Sequence, residues 1–261
     1  MKIDREKART AFAEYAANYD SSNEKVRLKI EHTYRVTGLC EQIAESLALP
    51  EADTDIAWLL GLLHDVGRFE QLRIYGTFQD SMSVDHAAFG AELLFQQGMI
   101  RDYVQDREAD ALLEKAIRLH NVYRLPEELS EREKCFVNIL RDADKIDILR
   151  ANVEFPLEKI YNVSTNELKW AEISEDVLEN FRAGRTSLRN GRRTVADSIV
   201  NQIAFAYELV YPISLKIMTE QGYLQQFMTF ASDNPVTQEQ FRIVRGCMED
   251  YLKRQGLYKA Y

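Results

Sequence analysis

The sequence contains few cysteines, prolines and glycines, and each of these low counts excludes a class of protein or a kind of site. Among 261 residues there are three cysteines, Cys40, Cys135 and Cys247, which are widely separated and show no Cys-x-x-Cys spacing. This number and spacing argue against a disulfide framework and against a thiolate zinc site. There are only five prolines and eleven glycines, which excludes a chain of the collagen-like or Pro- and Gly-rich disordered type.

Long apolar runs and an excess of basic residues are also missing. No stretch approaches the roughly 18 apolar residues of a membrane span, and the first residues are too charged for a signal peptide. We therefore expect a cytoplasmic protein without a membrane partner. The formal net charge of -9 disfavours a nucleic-acid polymer as partner, because such binding depends on Lys and Arg side chains. A small anionic ligand needs only a local positive pocket.

Apolar residues recur at helical spacing along nearly the whole chain, which predicts an all-α fold. The pattern predicts helices over residues 8–19, 23–47 and 53–66. Further helices should begin near Val84, Asp106, Ser130, Ser174 and Thr194. Thr237 and Gln240 have the spacing of a capping box for the last helix, and Pro212 should kink or break the helix that begins near Thr194.

The four histidines all lie in the N-terminal half of the chain. Residues 153–173 follow this half and fit either a hairpin turn or a helix cap. We therefore expect a helical core over residues 1–150 and a C-terminal helical extension over residues 151–261. The extension should pack on the core, because it has an apolar face that needs burial, made of Ile199, Ile203, Leu209 and Ile213. A single domain that includes both parts is the alternative.

Six polar residues are predicted to point inward: His32, His64, Asp65, His86, His120 and Asp144. A single inward histidine is more often a hydrogen-bonded core residue than a metal ligand. Together, however, these groups would leave many buried polar atoms unpaired, at about 1–3 kcal/mol each, unless a cation binds them. Imidazole nitrogens with carboxylate oxygens suit iron, manganese, nickel or zinc better than magnesium.

The order of these residues resembles the HD-domain superfamily of metal-dependent phosphohydrolases, over residues 26–149. The resemblance is carried by His32, by Leu-Leu-His-Asp-Val-Gly around His64 and Asp65, and by Arg-Asp-Ala-Asp-Lys-Ile-Asp around Asp144. His86 and His120 look like the additional ligands of the dinuclear branch of that superfamily. The resemblance therefore implies an all-α helical bundle, followed here by the C-terminal extension.

The resemblance also implies two divalent transition metals, with iron or manganese favoured and nickel, zinc or magnesium as alternatives. One metal would be bound by His32, His64, Asp65 and Asp144, and Asp65 would bridge to a second metal bound by His86 and His120. A bridging hydroxide would then hydrolyse a small phosphate ester. Asn-Val-Tyr-Arg-Leu-Pro replaces the His-Glu and Gly-Tyr-Pro elements of cyclic-dinucleotide phosphodiesterases after His120, which favours a different substrate, such as a nucleotide.

Three basic residues are candidates for contact with the substrate. Arg68 stands where many relatives have Lys, and it could bind a phosphate oxygen or pair with Glu70. Lys145 could orient the substrate or pair with acidic neighbours, and Arg35 has the same two interpretations. We predict catalytic roles for Asp65, Arg68 and Lys145, and substrate binding by Arg35, Arg68 and Lys145.

Two other segments have more than one interpretation. A basic cluster could bind a phosphate-rich ligand or form a solvated helix terminus; its members are Arg182, Arg185, Arg189, Arg192 and Arg193. Residues 75–83 should form a loop. Either this loop lines the mouth of the pocket, or its aromatic side chains only pack against the protein.

Hydrolysis of a phosphate ester is the leading hypothesis for the function. A dinuclear iron oxygenase is the alternative enzyme, because the same His-rich ligands serve oxygen chemistry in a minority of HD relatives. A non-catalytic, nucleotide-sensing HD domain is a third interpretation, although the retention of every ligand argues against it. The sequence is also compatible with a homo-oligomer.

Overall fold

The structure, a computed structural model, describes residues 3–188 and 191–258, and these residues form helices without any strand. The α-helices are α1 (Arg5–Ala16), α2 (Glu24–Ser46), α3 (Glu51–Leu63), α4 (Val66–Tyr75), α5 (His86–Ala91), α6 (Ile100–Tyr103), α7 (Asp110–Leu119), α8 (Glu131–Glu154), α9 (Leu157–Tyr161), α10 (Thr165–Trp170), α11 (Glu175–Arg182), α12 (Val195–Ile203), α13 (Pro212–Glu220), α14 (Tyr223–Met228) and α15 (Pro235–Arg254). Short 3-10 turns cover Asp80–Met82 and Ala204–Glu208, and a π-helical turn covers Glu92–Gln96. The all-α prediction is confirmed.

The helices form two compact units, and the boundary lies within α8, between Asp144 and Lys145. Each unit has buried aromatic side chains in its core, for example Trp58 in the first unit and Phe241 in the second. Packing of the extension on the core stays a prediction. Within the described ranges, no helix is long and apolar enough to cross a membrane.

In the first unit, α2 and α3 pack backbone to backbone at Gly61. A Cβ atom on this residue would lie 2.6 Å from Cα and 2.9 Å from N of Thr37, closer than any side chain could tolerate. Nearly the whole of α3 is buried, so it can pack this closely only with a residue that lacks a side chain. The close approach brings His64, at the end of α3, next to His32 on α2.

A second close contact joins α4 and α5 at Gly67. A Cβ atom here would lie 2.4 Å from the carbonyl oxygen of His86 and 2.7 Å from N of Gly90. Asp85 caps α5, because its carboxylate accepts hydrogen bonds from the backbone N–H groups of the first turn. The cap and the glycine contact together hold His86 close to the start of α4.

Several helix boundaries differ from the sequence-based expectation, and the first predicted helix, over residues 8–19, spans Arg5–Ala16. The third predicted helix, over residues 53–66, ends at Leu63, and a new helix begins at Val66. The break lies at Asp65, whose φ of -109° and ψ of 14° are not helical. The predicted capping box at Thr237 is wrong, because Asn234 caps α15 and Thr237 is buried inside the helix.

Other predicted features of the chain are confirmed. The helix over residues 23–47 matches α2 within one residue at each end. The helix that begins near Thr194 is broken before Pro212, which is the first residue of α13. Of the two interpretations of residues 153–173, the helix cap is right, since Ser164 and Glu167 form a capping box. Cys40, Cys135 and Cys247 form no disulfide.

Candidate metal centre

The six predicted ligands come together in the first unit, although they span more than a hundred residues of sequence. Nε2 of His32 lies 3.3 Å from Nε2 of His64, and Nε2 of His86 lies 3.1 Å from Nε2 of His120. The rings of His64 and His120 join the two pairs, with 5.3 Å between their centroids. Elements α2, α3, α5, α7 and α8 thus direct side chains toward one buried cluster.

Among the described residues, three groups of three have ligand atoms close enough together to hold a metal. Two of them are fully buried, whereas the third, Asp80, Asp85 and His86, includes the exposed Asp85. The first ligand group is His32, His64 and Asp65, and the second ligand group is Asp65, His86 and His120. In each group the candidate ligand atoms lie within 4.8 Å of one another. Asp144 adjoins the first group, because its Oδ1 is 3.2 Å from Nε2 of His32 and 3.8 Å from Nε2 of His64.

Asp65 belongs to both ligand groups through different oxygens. Its Oδ2 lies 3.5 Å from Nε2 of His32 and 3.5 Å from Nε2 of His64. Its Oδ1 faces the other group and lies 3.6 Å from Nε2 of His86. The break between α3 and α4 makes this possible, because it directs the carboxylate into the cluster directly beside His64.

Hydrogen bonds at Nδ1 determine the tautomers of His64 and His120. Nδ1 of His64 lies 2.8 Å from the carbonyl oxygen of Gly61, and Nδ1 of His120 lies 2.7 Å from that of Ile117. A carbonyl oxygen only accepts, so each Nδ1 carries the proton and each Nε2 presents a lone pair. This is the form in which histidine binds a metal.

Burial keeps two of the imidazoles uncharged. It lowers the pKa of His64 to about 4 and, with the positive charge of Arg68, the pKa of His86 to about 4. Burial alone would raise the pKa of Asp65, but the ammonium of Lys29 and its other basic neighbours hold that pKa well below the ordinary value. His64 and His86 are therefore neutral and Asp65 is ionised at neutral pH, as ligands of a cation must be.

Asp80 is a residue of the site that the sequence did not reveal. It lies in the loop of residues 75–83, and its Oδ2 accepts a hydrogen bond from Nδ1 of His86 at 2.8 Å. Its Oδ1 accepts from Arg68 at 2.7 Å and from Gln71 at 3.0 Å. A carboxylate that binds the second ring nitrogen of a histidine orients that ring for a metal. An Asp in a loop between two candidate ligands was the only sequence signal.

Arg68 lies between this loop and the metal ligands. Its Nη1 donates to Oε1 of Gln71 at 2.7 Å, to the carbonyl of Phe78 at 2.6 Å and to Asp80. Its Nε is buried without a hydrogen-bond partner among the described residues, 3.7 Å from Oδ1 of Asp65. The guanidinium thus fixes the loop through one nitrogen and turns another toward the cluster.

The alternative interpretation of Arg68 as a partner of Glu70 is wrong. The Glu70 carboxylate binds Arg73 instead, with 2.6 Å between Nη2 and Oε2. For the other two candidates, the structure shows carboxylate neighbours: Lys145 lies 2.8 Å from Glu208, and Arg35 lies 3.6 Å from Glu31. Their roles in catalysis and substrate binding stay predictions.

The basic cluster of the second unit contains ion pairs. Arg182 pairs with Glu175 at 3.1 Å, and Arg193 pairs with Asp176 at 2.9 Å. Arg189 lies outside the described residues. A contact between this cluster and a phosphate-rich ligand stays a prediction.

Two further basic residues contact the metal ligands. Nζ of Lys29 lies 2.5 Å from Oδ2 of Asp65, and its position one turn before His32 on α2 is the signal that could have revealed it. Arg141 is buried, and its Nη1 donates to the carbonyls of residues 119, 120 and 122. Because these carbonyls lie at the C-terminal end of α7 and just beyond it, Arg141 holds the segment that carries His120.

Two groups of buried nitrogen and oxygen atoms that share one carboxylate place this helical chain in the class of proteins with a candidate divalent-metal site. Comparison with known families agrees with this class. Residues 30–149 match the model of the HD domain family, a type of domain that binds divalent metals and occurs in metal-dependent hydrolases. No curated protein and no solved structure matches the chain.

Proposed function

We propose that this protein is a phosphohydrolase that uses two divalent metal ions to hydrolyse a small phosphate ester, such as a nucleotide. The observation that carries the proposal is the position of Asp65, which belongs to both ligand groups. Shared carboxylates of this kind hold two cations close together, and paired cations are suited to phosphoryl transfer.

The chemistry of the ligands fits cations. Nδ1 of His120 carries a proton, and Nδ1 of His86 is bound to the Asp80 carboxylate, so both Nε2 atoms direct lone pairs into the cluster only 3.1 Å apart. Two facing lone pairs repel unless a positive charge lies beside them. A nitrogen-rich set with carboxylates favours iron or manganese among the divalent metals.

The metals would be divided between the two groups. His32, His64, Asp65 and Asp144 would hold one ion, and Asp65, His86 and His120 would hold the other. Such ions, when bound, activate water and neutralise charge on phosphate oxygens. The chain itself keeps each histidine ring in the ligand orientation through its Nδ1 hydrogen bond, and the burial of the cluster strengthens every electrostatic contact within it.

Arg68 is the protein group that we propose to contact the phosphate. Its hydrogen bonds to Gln71, Phe78 and Asp80 all leave from Nη1, and its Nε lies 3.7 Å from Oδ1 of Asp65, so the guanidinium is held beside the candidate metal ligands. A guanidinium fixed at one nitrogen loses little side-chain freedom when it binds an anion at another.

The test has two steps, metal analysis followed by a screen for phosphate release. We expect two metal ions per chain by mass spectrometry, and oxygen-independent phosphate release from one or more nucleotides or sugar phosphates. Asp102→Asn, a change at an exposed carboxylate in the first unit, serves as a control that should keep both properties. Oxygen consumption with an iron-loaded protein would support the oxygenase instead, and nucleotide binding without turnover would support a sensor.

A further inference from the structure

We propose that Lys29 is a phosphate-binding residue that leaves Asp65 when metal binds and then contacts the substrate. The inference rests on the proposed function, since it concerns the same metals and the same phosphate. It extends that function by naming a second cation of the substrate site, on a helix that does not carry Arg68.

The Lys29 ammonium lies beside Asp65 where it can substitute for the charge of a metal cation. Its ammonium is 2.5 Å from Oδ2 of Asp65, and this oxygen is the one that faces His32 and His64 at 3.5 Å. The Asp65 side chain is only 3% exposed. A carboxylate so deeply buried is strongly unfavourable without a positive partner, and Lys29 supplies that partner while no metal is bound.

The same contact cannot persist in the metal-loaded protein. A divalent ion held by Asp65 would repel an ammonium at hydrogen-bonding distance from the same oxygen, and the repulsion is strong in a buried site. Lysine has a long flexible side chain and a strongly hydrated charge, and the Lys29 side chain is 17% exposed. It can therefore withdraw from Asp65 toward solvent without rearrangement of α2.

The neighbourhood of Lys29 indicates where the ammonium would lie. Nζ is 5.7 Å from the centroid of the Phe78 ring, and Cζ of Arg68 is 5.8 Å from the same centroid. Two cations are thus held around one aromatic ring, immediately beside the metal ligands. An aromatic ring attracts an ammonium, and Arg68 keeps its contact with the Asp80 carboxylate at 2.7 Å, so Lys29 is the cation that lacks an anionic partner once it leaves Asp65. A phosphate group bound beside Arg68 would supply that partner, and lysine binds phosphate as a point charge.

Reductive methylation of lysines, read by mass spectrometry, tests the movement directly. We expect Lys29 to be protected in the metal-free protein, labelled after loading with Mn²⁺, and protected again when inorganic phosphate is added to the loaded protein. Lys25, which is exposed on the same helix one turn earlier, should be labelled equally in all three states. Equal labelling of Lys29 in the metal-free and loaded states would overturn the proposal.

Lys29→Gln tests the role in binding, with Lys25→Gln as the matched control. Loss of a charge-assisted contact should raise KM for the phosphate ester roughly 10- to 100-fold. The affinity for Mn²⁺, measured by calorimetry, should stay the same or increase, because the competing ammonium is gone. Mn²⁺ affinity that falls as much as substrate affinity would show that Lys29 only supports Asp65, and would contradict the proposal.

These results also separate the inference from the function on which it rests. Protection of Lys29 by phosphate in a protein that hydrolyses no ester would contradict the phosphohydrolase but support the phosphate-binding role. Hydrolysis by the wild-type protein, with the same KM in Lys29→Gln, would support the phosphohydrolase and refute the role of Lys29.

Discussion

The two ligand groups share Asp65, but they are built in different ways. In the first ligand group, His32 lies within the long helix α2 and His64 lies at the end of α3, and these helices touch along their backbones at Gly61. In the second ligand group, His86 lies on the short helix α5 and is oriented by Asp80 from a loop. One group therefore depends on helix packing and the other on a polar side-chain network.

This difference predicts which kind of substitution should weaken each ligand group. Backbone contacts between buried helices respond to added volume, whereas a network of polar side chains responds to the loss of one hydrogen-bonding partner. We therefore expect the first group to keep its metal when the loop is altered. The predictions below test this contrast, from the largest expected effect to the smallest.

Asp65→Ala should have the largest effect, because Asp65 is the one ligand common to both groups. The substitution removes a negative charge that would otherwise lie between two cations, so we expect loss of both metals and a fall of phosphate release to background. Metal content by mass spectrometry and an assay of phosphate release would measure this. Full metal occupancy with normal hydrolysis would show that the two groups do not share a ligand.

Alanine at the two close-contact glycines should affect the two groups differently. Gly61→Ala pushes α3 away from α2, and Gly67→Ala pushes α4 away from α5. Each should lower the free energy of unfolding by about 3 kcal/mol, since backbone atoms cannot move aside. Gly61→Ala should weaken mainly the first metal and Gly67→Ala mainly the second, by calorimetric titration.

Gly38→Ala provides the control for both glycine variants. Gly38 lies in the middle of α2, and no described heavy atom lies within 4 Å of the position of its Cβ. Alanine there should raise the free energy of unfolding by about 0.5–1 kcal/mol, because it restricts the unfolded chain and favours the helix. Equal destabilisation by all three variants would refute the role of close packing at the metal ligands.

Asp80→Asn should weaken the second metal and spare the first. The amide keeps the size of the side chain but loses the charge that orients His86, and changes of this kind reduce metal affinity roughly 10- to 100-fold. Titration with Mn²⁺ should then resolve one unchanged and one weaker site. Met82→Ala, at an exposed side chain of the same turn, should leave both sites unchanged. A uniform loss at both sites would argue against separate construction of the groups.

The smallest effect at neutral pH concerns acid stability of the metal-free protein, because this effect is absent above about pH 6.5. The pKa values of His64 and His86 are lowered to about 4, whereas an unfolded histidine titrates near 6.5. The unfolded state then binds more protons between these values, so stability is full above about pH 6.5 and falls as the pH drops toward 4. Each imidazole should contribute on the order of 1 kcal/mol per pH unit in that window.

Urea unfolding at pH 7, 6 and 5 would measure this dependence. His86→Gln should remove about half of the slope that His64 and His86 together produce, because the pKa values of both are lowered to about 4. An unchanged slope in that variant would mean that the His86 ring is already protonated or exposed in the folded protein. It would contradict the equal contributions to acid stability that we expect from His64 and His86.

Much of the fold and of the ligand set could be predicted because the relevant signals are local. Helical periodicity depends on neighbouring residues, and it places the ends of α2 within one residue of those observed. The inward direction of His32 follows from the same periodicity. The residue types of the six ligands indicate a metal before any contact is known, since buried imidazoles and carboxylates need a counterion.

Only the tertiary structure shows which backbone break and which neighbouring side chains position the six candidate ligands. The periodicity of α3 continues past its end, so the break at Asp65, which gives this carboxylate access to both groups, had no sequence signal. Asp80 lies in a loop without periodicity, and its contact with His86 depends on the packing of α4 on α5. Lys29 and Asp65 are 36 residues apart, and such partners are set by distances in space, because electrostatic interactions depend on separation and burial and not on sequence order.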